Sequence, residues 1–471
     1  MSTIKSIGAY IPFHSLKLEV LAKAWGGGSQ IGEKSVANFD EDTITMAVEA
    51  SRDCLKGIDK GSIDRLYFAS SSTPYNEKQS ASIVAAALGL KKDILTIDFT
   101  NTIRAGTNAL QVAIDTVRSG SAKNILVTAS DCRLGAPGSD NERIFGDGAA
   151  ALLVSNDGVI SLEGSYNHTD EIIDQWRTRD QPYVQNWEDR FVKTEGYQAN
   201  VKQAITSFLK KNKSTAKDFN KVVIYAPDQR SHLGMCRTFK FDPKTQVQDP
   251  MFSTIGNTGV ASCLMTFVAA LENAVTDDRI LLVNYGDGCD ILSFKVNNKL
   301  EFDDNYKGIK GNLGSKVYIS SYEQYIQMRK IMEMEGGRSR PPMVSSAVGV
   351  YRDRKMIYQL TASKCTSCGR AFYPPQRICL YCQAIDEYED LMISDKKGKV
   401  FTYCKDQLAD TIDPPLIVCV VNLENNMRVF GQMTDRDPDR IEADMEVDFT
   451  FRWIGGAGGF HNYFWKFRPL R

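Results

Sequence analysis

The chain has 471 residues, 42% hydrophobic and 24% charged, with 35 glycines. That length exceeds one compact core and calls for about two to four folding units, and the composition excludes disorder, collagen or coiled coil as a description of the whole. Lys and Arg number 57 against 58 Asp and Glu, a formal net charge of −1. Near-neutrality argues against a protein that binds nucleic acid or membrane surfaces through bulk charge.

The N-terminal MSTIKSIGAYIP reads as a first strand and lacks the regions of a signal peptide. No apolar run reaches the ~18–20 residues that cross a bilayer. The 11 cysteines are scattered singly apart from one cluster. Reduced thiols fit this better than a disulfide framework, and a cytoplasmic location is expected.

An internal repeat organises the first part of the chain. RLYFASS (65–71) is matched by KVVIYAP (221–227), and NILVTASD (124–131) by RILLVNYGD (279–287). FGDGAAALLV (145–154) is matched by YGDGCDILSF (285–294), in the same order. The runs are short, continuous and rich in β-branched residues, as in strands covered on both faces. Helical patterns lie between them, at 43–55 and 105–117. Alternating strand and helix predicts parallel α/β layers, and the duplication predicts two similar halves packed as one domain over residues 1–300.

After Phe294 the character changes. Residues 301–345 read as a linker that contains an exposed helix, SSYEQYIQMRKIMEME, and ends in GGRSRPP. Residues 346–392 hold the cysteine cluster. Cys365, Cys368, Cys379 and Cys382 form C-x2-C-x10-C-x2-C, two knuckles that together can close a tetrahedron around Zn²⁺. Four protein sulfurs leave no open position, so a structural zinc ribbon is expected. A redox role is disfavoured because neither CxxC opens a helix in a βαβ context. Residues 393–471 alternate five short strand runs with turn signals, as in a small β-barrel of the OB type. Its aromatics Trp453, Tyr463, Phe464 and Trp465 would suit single-stranded nucleic acid. The acidic run DRDPDRIEADMEVD argues against that use.

Four segments in order carry a family resemblance: GEKSVANFDEDTITMAVEA (32–50), DFTNTIRAGTNAL (98–110), FGDGAAALLV and GNTGVASCL (256–264). Together they resemble 3-hydroxy-3-methylglutaryl-CoA synthases, especially the archaeal type, within the ketosynthase III branch of the thiolase superfamily. The resemblance implies a duplicated thiolase-like αβαβα fold over about residues 1–300. The C-terminal region resembles the zinc-ribbon/OB-fold domain that accompanies such enzymes, usually as a separate chain; here the two are fused. It also implies a CoA thioester as substrate and a site built near a dimer interface.

The family's chemistry is acyl transfer through a cysteine at the mouth of a buried helix, where the helix dipole lowers the thiol pKa. By resemblance that cysteine position is Ile103, within Asn101-Thr102-Ile103-Arg104-Ala105-Gly106-Thr107. No cysteine lies between Cys54 and Cys132. The family glutamate position falls on Ser71 and the family histidine position on Tyr225, while the following asparagine is kept as Asn257. Condensation through an acyl-cysteine on this chain is therefore not expected. Retro-aldol cleavage of a β-hydroxyacyl-CoA needs no covalent nucleophile, only a proton acceptor and donors that hold the thioester enolate.

Tyr225 is the candidate acid/base, with Asn257 or an ordered water the candidate enolate donor. As a base, Tyr225 requires a lowered pKa or a neighbouring base. Core packing for Tyr225 and helix capping for Asn257 are the plain alternatives. His232 is a weaker candidate base, read as a surface-loop residue. Arg104 faces either the site or a dimer contact. Cys132, Cys263 and Cys289 read as small buried hydrophobes. The aromatic-rich stretch 166–198, with Trp176, Tyr183 and Trp187, suggests a bulky or apolar acyl group.

Two readings follow. One is an acyl-CoA lyase or acyltransferase (aldolase- or thiolase-type) acting without an acyl-cysteine. The other is a catalytically silent accessory subunit that binds CoA thioesters and partners a cysteine-bearing thiolase-fold chain. A homodimer and such a heterocomplex are both compatible with the sequence.

Overall fold

A computed structural model describes residues 3–28, 30–332, 346–457 and 459–471. The chain divides into two units. The first comprises residues 1–37, 42–84 and 90–325, and the second comprises 38–41, 85–89 and 326–471.

The core of the first unit is a nine-stranded sheet. Its strands are β1 (Thr3–Tyr10), β2 (Arg65–Ala69), β3 (Leu95–Phe99), β4 (Asn124–Asp131), β5 (Gly148–Ser155), β6 (Ile160–Thr169), β7 (Lys221–Ile224), β8 (Arg279–Tyr285) and β9 (Gly288–Val296). They lie in the order β7-β8-β9-β6-β1-β5-β4-β2-β3. Read outward from the centre, β1-β5-β4-β2 and β6-β9-β8-β7 are the two copies of the repeat. The halves meet where β1 pairs with β6 through Thr3–Ser161 and Ile4–Ile160. The first half carries β3 at its edge. In the second half that strand is reduced to one bridge, Val222–Val247.

The sheet is mixed, which corrects the expectation of purely parallel layers. β2 runs parallel to β3 and β4, but β4–β5, β8–β9 and β6–β9 are antiparallel. The connection explains it: β8 and β9 are joined through Gly286-Asp287 alone, and parallel neighbours need a crossover far longer than that.

Five helices complete the layering: α1 (Thr43–Cys54), α2 (Ala105–Arg118), α3 (Ala199–Lys211), α4 (Gln229–Phe239) and α5 (Val260–Glu272). α1 packs on β1, β4 and β5, and α3 on β6, β8 and β9. α2 and α5 pack on each other and on strands of the sheet, forming the central layer. α5, VASCLMTFVAALE, is apolar around its whole circumference, as befits a helix buried from Val260 to Leu271. α1 starts at Asp42, whose carboxylate accepts from the Ile44 and Thr45 amides while Thr45 Oγ1 accepts from Asp42 N, each at 2.9 Å.

The two central helices cross at Gly106. A Cβ there would lie 2.9 Å from the Val260 carbonyl oxygen and 3.2 Å from a Leu264 methyl. Only a residue without a side chain admits that approach.

The stretch 301–345 is more structured than a linker. Gly308–Leu313 and Tyr322–Arg329 are helical, and Val317–Tyr318 pairs with His14–Ser15. The predicted exposed helix buries Tyr325 and Met328. Its last residues and the GGRSRPP segment lie outside the described residues.

In the second unit, Thr361–Cys365 pairs with Ala371–Phe372 and Tyr388–Met392 to form a three-stranded ribbon. The five predicted strands then close a barrel: β10 (Gly398–Asp406), β11 (Leu416–Leu423), β12 (Arg428–Met433), β13 (Glu446–Ala457) and β14 (Phe460–Pro469). Val400, Ile417, Cys419, Val421, Phe449, Phe451, Trp465 and Phe467 fill it. Their alternation with outward residues is the period-2 pattern of strands. Arg452, fully buried, is ion-paired to Asp40, Glu41 and Asp435.

Replacing Gly106 by alanine should strain the helix crossing and cost about 1–3 kcal/mol, the usual penalty for overpacking. Thermal unfolding of G106A against the parent measures it; an unchanged Tm would refute the crossing.

Candidate active site

A cavity of about 1130 Å³ opens in the first unit, at the ends of β2, β4, β7 and β8. The loops that follow those strands line it. This is where an α/β sheet gathers chemistry, because loops at strand ends are free to vary over a rigid base.

Three positions singled out in the sequence, Ser71, Ile103 and Tyr225, line this one cavity. Asn257 joins them through its side-chain amide, whose Nδ2 donates to Tyr225 Oη at 3.2 Å. Asn257 Oδ1 in turn accepts from the Gly259 amide at 2.9 Å and from Arg133 at 3.1 Å. Asn257 therefore both braces the turn before α5 and supports Tyr225. It is not the first residue of the helix, which begins at Val260.

Tyr225 is buried, and burial pushes its phenol above the usual value; the Arg133 charge and the Asn257 amide oppose that only in part. A neutral tyrosine is a proton donor at physiological pH. The base role considered from sequence required the opposite shift.

Ile103 sits in the turn between β3 and α2, just after Asn101, which holds a left-handed backbone at φ 69°. Asparagine tolerates that conformation better than most residues. Arg104, next along, does not line the cavity. Its guanidinium pairs with Asp290 at 3.0 Å and donates to the carbonyls of Gly286, His168 and Asp287. Thr107 Oγ1 donates to the other Asp290 oxygen at 2.7 Å. The elbow is thereby fastened to the β8–β9 hairpin, and Arg104 is a structural cation.

Below Ser71 lies Asp131, at the end of β4. Its carboxylate accepts from Ser70 Oγ, Ser71 N, Ser71 Oγ, Ser72 Oγ and Val260 N, at 2.7–3.0 Å. An anion at the first amide of α5 also complements the helix dipole.

Sequence reasoning missed two residues that face the cavity. Asp174 lies beyond β6, and Tyr285 Oη donates to it at 2.9 Å. Burial raises the Asp174 carboxyl above the usual range. Arg133 lies two residues past Asp131, is 6% exposed, and stacks its guanidinium 4.1 Å from the Phe145 ring centroid. An acidic residue in an aromatic loop and an arginine after a strand carry no spacing signal. Only the folded chain shows where they point.

His232 is not in a surface loop, as the sequence suggested. It lies on α4, is 2% exposed, and sits edge-on to Phe252 with neither ring nitrogen hydrogen-bonded. Burial lowers its imidazole from 6.5 to about 4, against a small opposing pull from Asp249. It does not line the cavity. Cys263 and Cys289 are buried with raised thiols, as small hydrophobes are; Cys132 is half-buried. Of the aromatic stretch, Trp176 and Trp187 line the cavity, alongside the charged Lys78, Arg177, Arg179 and Lys193. That wall is more polar than an apolar acyl group alone would need.

In the second unit the four ribbon sulfurs lie within 4.8 Å of one another, with Cys365–Cys382 and Cys368–Cys379 at 3.7 Å. Disulfides would need about 2.05 Å. A tetrahedron with Zn–S bonds of ~2.3 Å has edges of about 3.8 Å, so the donor set fits one zinc ion. Among the described residues the local apolar cluster is Cys365, Phe372 and Cys379 with Ala384 against them, too small to fold the ribbon unaided.

Comparison with known proteins agrees with this architecture. Residues 97–170 match the family described as 3-oxoacyl-[acyl-carrier-protein] synthase III, and residues 352–387 match the ChsH2 rubredoxin-like zinc ribbon domain. A crystal structure of HMG-CoA synthase complexed with CoA superposes with a TM-score of 0.64 at 21% identity, over 73% of this chain and 95% of that one. The fold is thus of the thiolase type. Hydroxymethylglutaryl-CoA synthase of Methanopyrus kandleri is 33% identical over 340 residues, 69% of this chain and 97% of its own length. That of Pyrococcus horikoshii is 34% identical over 339 residues, 70% of this chain and 93% of its own length. The chain belongs to the hydroxymethylglutaryl-CoA synthase family, with a zinc ribbon and a five-stranded barrel added at its C-terminal side. Among the described residues no helix is long and apolar enough to cross a membrane.

Metal analysis should find about one zinc per chain, lost in C368S; a folded, metal-free protein would contradict the assignment. His232 offers a separate test through pH. It titrates from 6.5 unfolded to about 4 folded, so the unfolded chain binds more protons between those values. Its contribution to stability is therefore full above pH 6.5 and falls, by roughly 3 kcal/mol, as pH drops to 4. Urea unfolding at pH 7 and pH 5 should show a smaller pH slope for H232F than for the parent.

Proposed function

We propose that this protein makes or breaks a carbon–carbon bond in an acyl-CoA thioester without forming an acyl-cysteine on this chain. The observation that carries the reading is the cavity itself. In a fold of this family, the elbow position holds Ile103, while a neutral buried tyrosine, Tyr225, is braced by Asn257 in the same cavity.

In the cleavage direction a β-hydroxyacyl-CoA would bind with its β-carbon toward Asp174. The Asp174 carboxylate takes the β-hydroxyl proton, and the Cα–Cβ bond breaks to leave a carbonyl compound. The electron pair passes into the thioester enolate, whose oxygen is held by the Tyr225 hydroxyl with Asn257 behind it. Protonation at Cα then gives the shortened acyl-CoA. Condensation is the same path reversed. Cytoplasmic location and assembly as a dimer, with a second copy or with a cysteine-bearing thiolase-fold chain, belong to this reading.

Pure protein should shorten some β-hydroxyacyl-CoA in a mass-spectrometric assay, and Y225F should lower kcat about 10²-fold or more without lowering Tm. Unchanged turnover in Y225F would remove that residue from the mechanism. Intact mass after incubation with acetyl-CoA should be unchanged; a mapped acyl adduct would revive covalent transfer. Inactivity of the chain alone, together with co-purification of a second thiolase-fold chain, would favour the accessory subunit.

A further inference from the structure

Arg133 is a cation in an unusual position. It is 6% exposed, yet it lines the cavity. Its terminal nitrogens donate to Gln175 Oε1 at 3.2 Å and Asn257 Oδ1 at 3.1 Å, both neutral groups. Its Nε has no hydrogen-bond partner. Among the described residues no carboxylate forms an ion pair with it. Asp131, two residues before it, commits its carboxylate to the 70–72 turn and the Val260 amide. The contrast with Arg104 is direct: that guanidinium has Asp290 and three carbonyls.

A buried guanidinium without a direct ion pair is costly, because desolvation of its charge is repaid only in part by Asp131, whose carboxylate lies nearby but is engaged by five other donors. The surroundings are nonetheless built to keep it. Phe145 supplies a ring face, Asn257 and Gln175 each present an oxygen, and Gly259 leaves the room: a Cβ there would lie 2.7 Å from Arg133 Nε and 2.3 Å from Asp131 Oδ2. The Nε donor that stays unfilled leaves a place for an anion that arrives through the cavity.

We propose that Arg133, with Tyr225 beside it, forms an anion subsite in the cavity that receives a negatively charged oxygen of the acyl group. This rests on the acyl-CoA reading above and names the part of the substrate that the site recognises. The oxygen has two chemical sources. It is either the carboxylate of an acyl chain that carries a second acid group, or the enolate oxygen of the thioester. Arginine's planar fork suits both.

Equilibrium binding separates the sources without any turnover. Acetyl-CoA, malonyl-CoA and acetoacetyl-CoA are titrated into the parent, R133M and R133K, with circular dichroism and Tm confirming that each variant is folded. If the carboxylate is the ligand, the parent binds malonyl-CoA about ten- to a hundredfold more tightly than acetyl-CoA. R133M loses that preference and R133K keeps part of it. If the enolate is the ligand, bound acetoacetyl-CoA shows increased enolate absorbance in the parent and not in R133M. Equal affinities and equal spectra in parent and R133M would overturn the subsite. Should no CoA thioester bind at all, the acyl-CoA reading fails. The subsite is then judged by titration with free malonate, where binding by the parent and not R133M sustains it and any other result overturns it.

Discussion

One buried carboxylate organises the cavity. Asp131 closes β4 and accepts hydrogen bonds from all three serines of the 70–72 turn and from the first amide of α5. It thereby joins the loop after β2, the end of β4 and the central helix of the other half of the repeat. Each bond of an anion to a donor is stronger than a neutral one, and the helix dipole adds to them. Ser71 and Arg133 are placed by this knot, the first as its direct donor and the second as its near neighbour in the chain. The loop could not shift without leaving a buried charge short of donors.

The duplicated halves contribute unequally to what stands above that knot. The first half supplies the Ile103 elbow and Arg133. The second supplies Tyr225 and Asn257, with Asp174 coming from the segment after β6. Two of the cross-links between the halves at the site involve arginines: the Arg104–Asp290 ion pair and the Asn257–Arg133 bond. The first is fully compensated and removing one partner would strand a buried charge, a loss of about 3–5 kcal/mol. The second leaves the cation with donor capacity unused. That difference separates the structural arginine from the one proposed to face ligand, Arg104 lying inside a recognised segment and Arg133 two residues beyond one.

Much of this was legible in the sequence because it rests on periodicity and spacing. Continuous apolar runs marked the strands of the sheet, and the alternating runs after Lys396 marked the barrel. The CxxC pairs marked the zinc knuckles. Resemblance placed Ser71, Ile103 and Tyr225 around one cavity. What escaped depends on tertiary direction. His232 belongs to a short amphipathic helix whose buried face takes the imidazole, and a polar residue near an aspartate reads as surface until that face is known. The parallel sheet was overcalled because hairpins such as Gly286-Asp287 put antiparallel neighbours between crossovers. Arg133 and Asp174 belong to no motif, and their importance lies in which way they point.

The proposed noncovalent chemistry has an electrostatic side. A cysteine at the elbow needs positive surroundings that stabilise S⁻, and an arginine aimed at the same space would serve it. With Ile103 there, the positive field of Arg133 has no elbow anion to act on. Burial keeps Tyr225 neutral and raises the Asp174 carboxyl above the usual range. Tyr225, Asp174 and the cation Arg133 then line one cavity, and desolvation is the larger cause of the shifts of the first two. Keeping such a set out of water carries a desolvation cost that its hydrogen bonds offset only in part. On the proposed reading it is matched to a substrate that gives up a proton on one side and develops negative charge on the other.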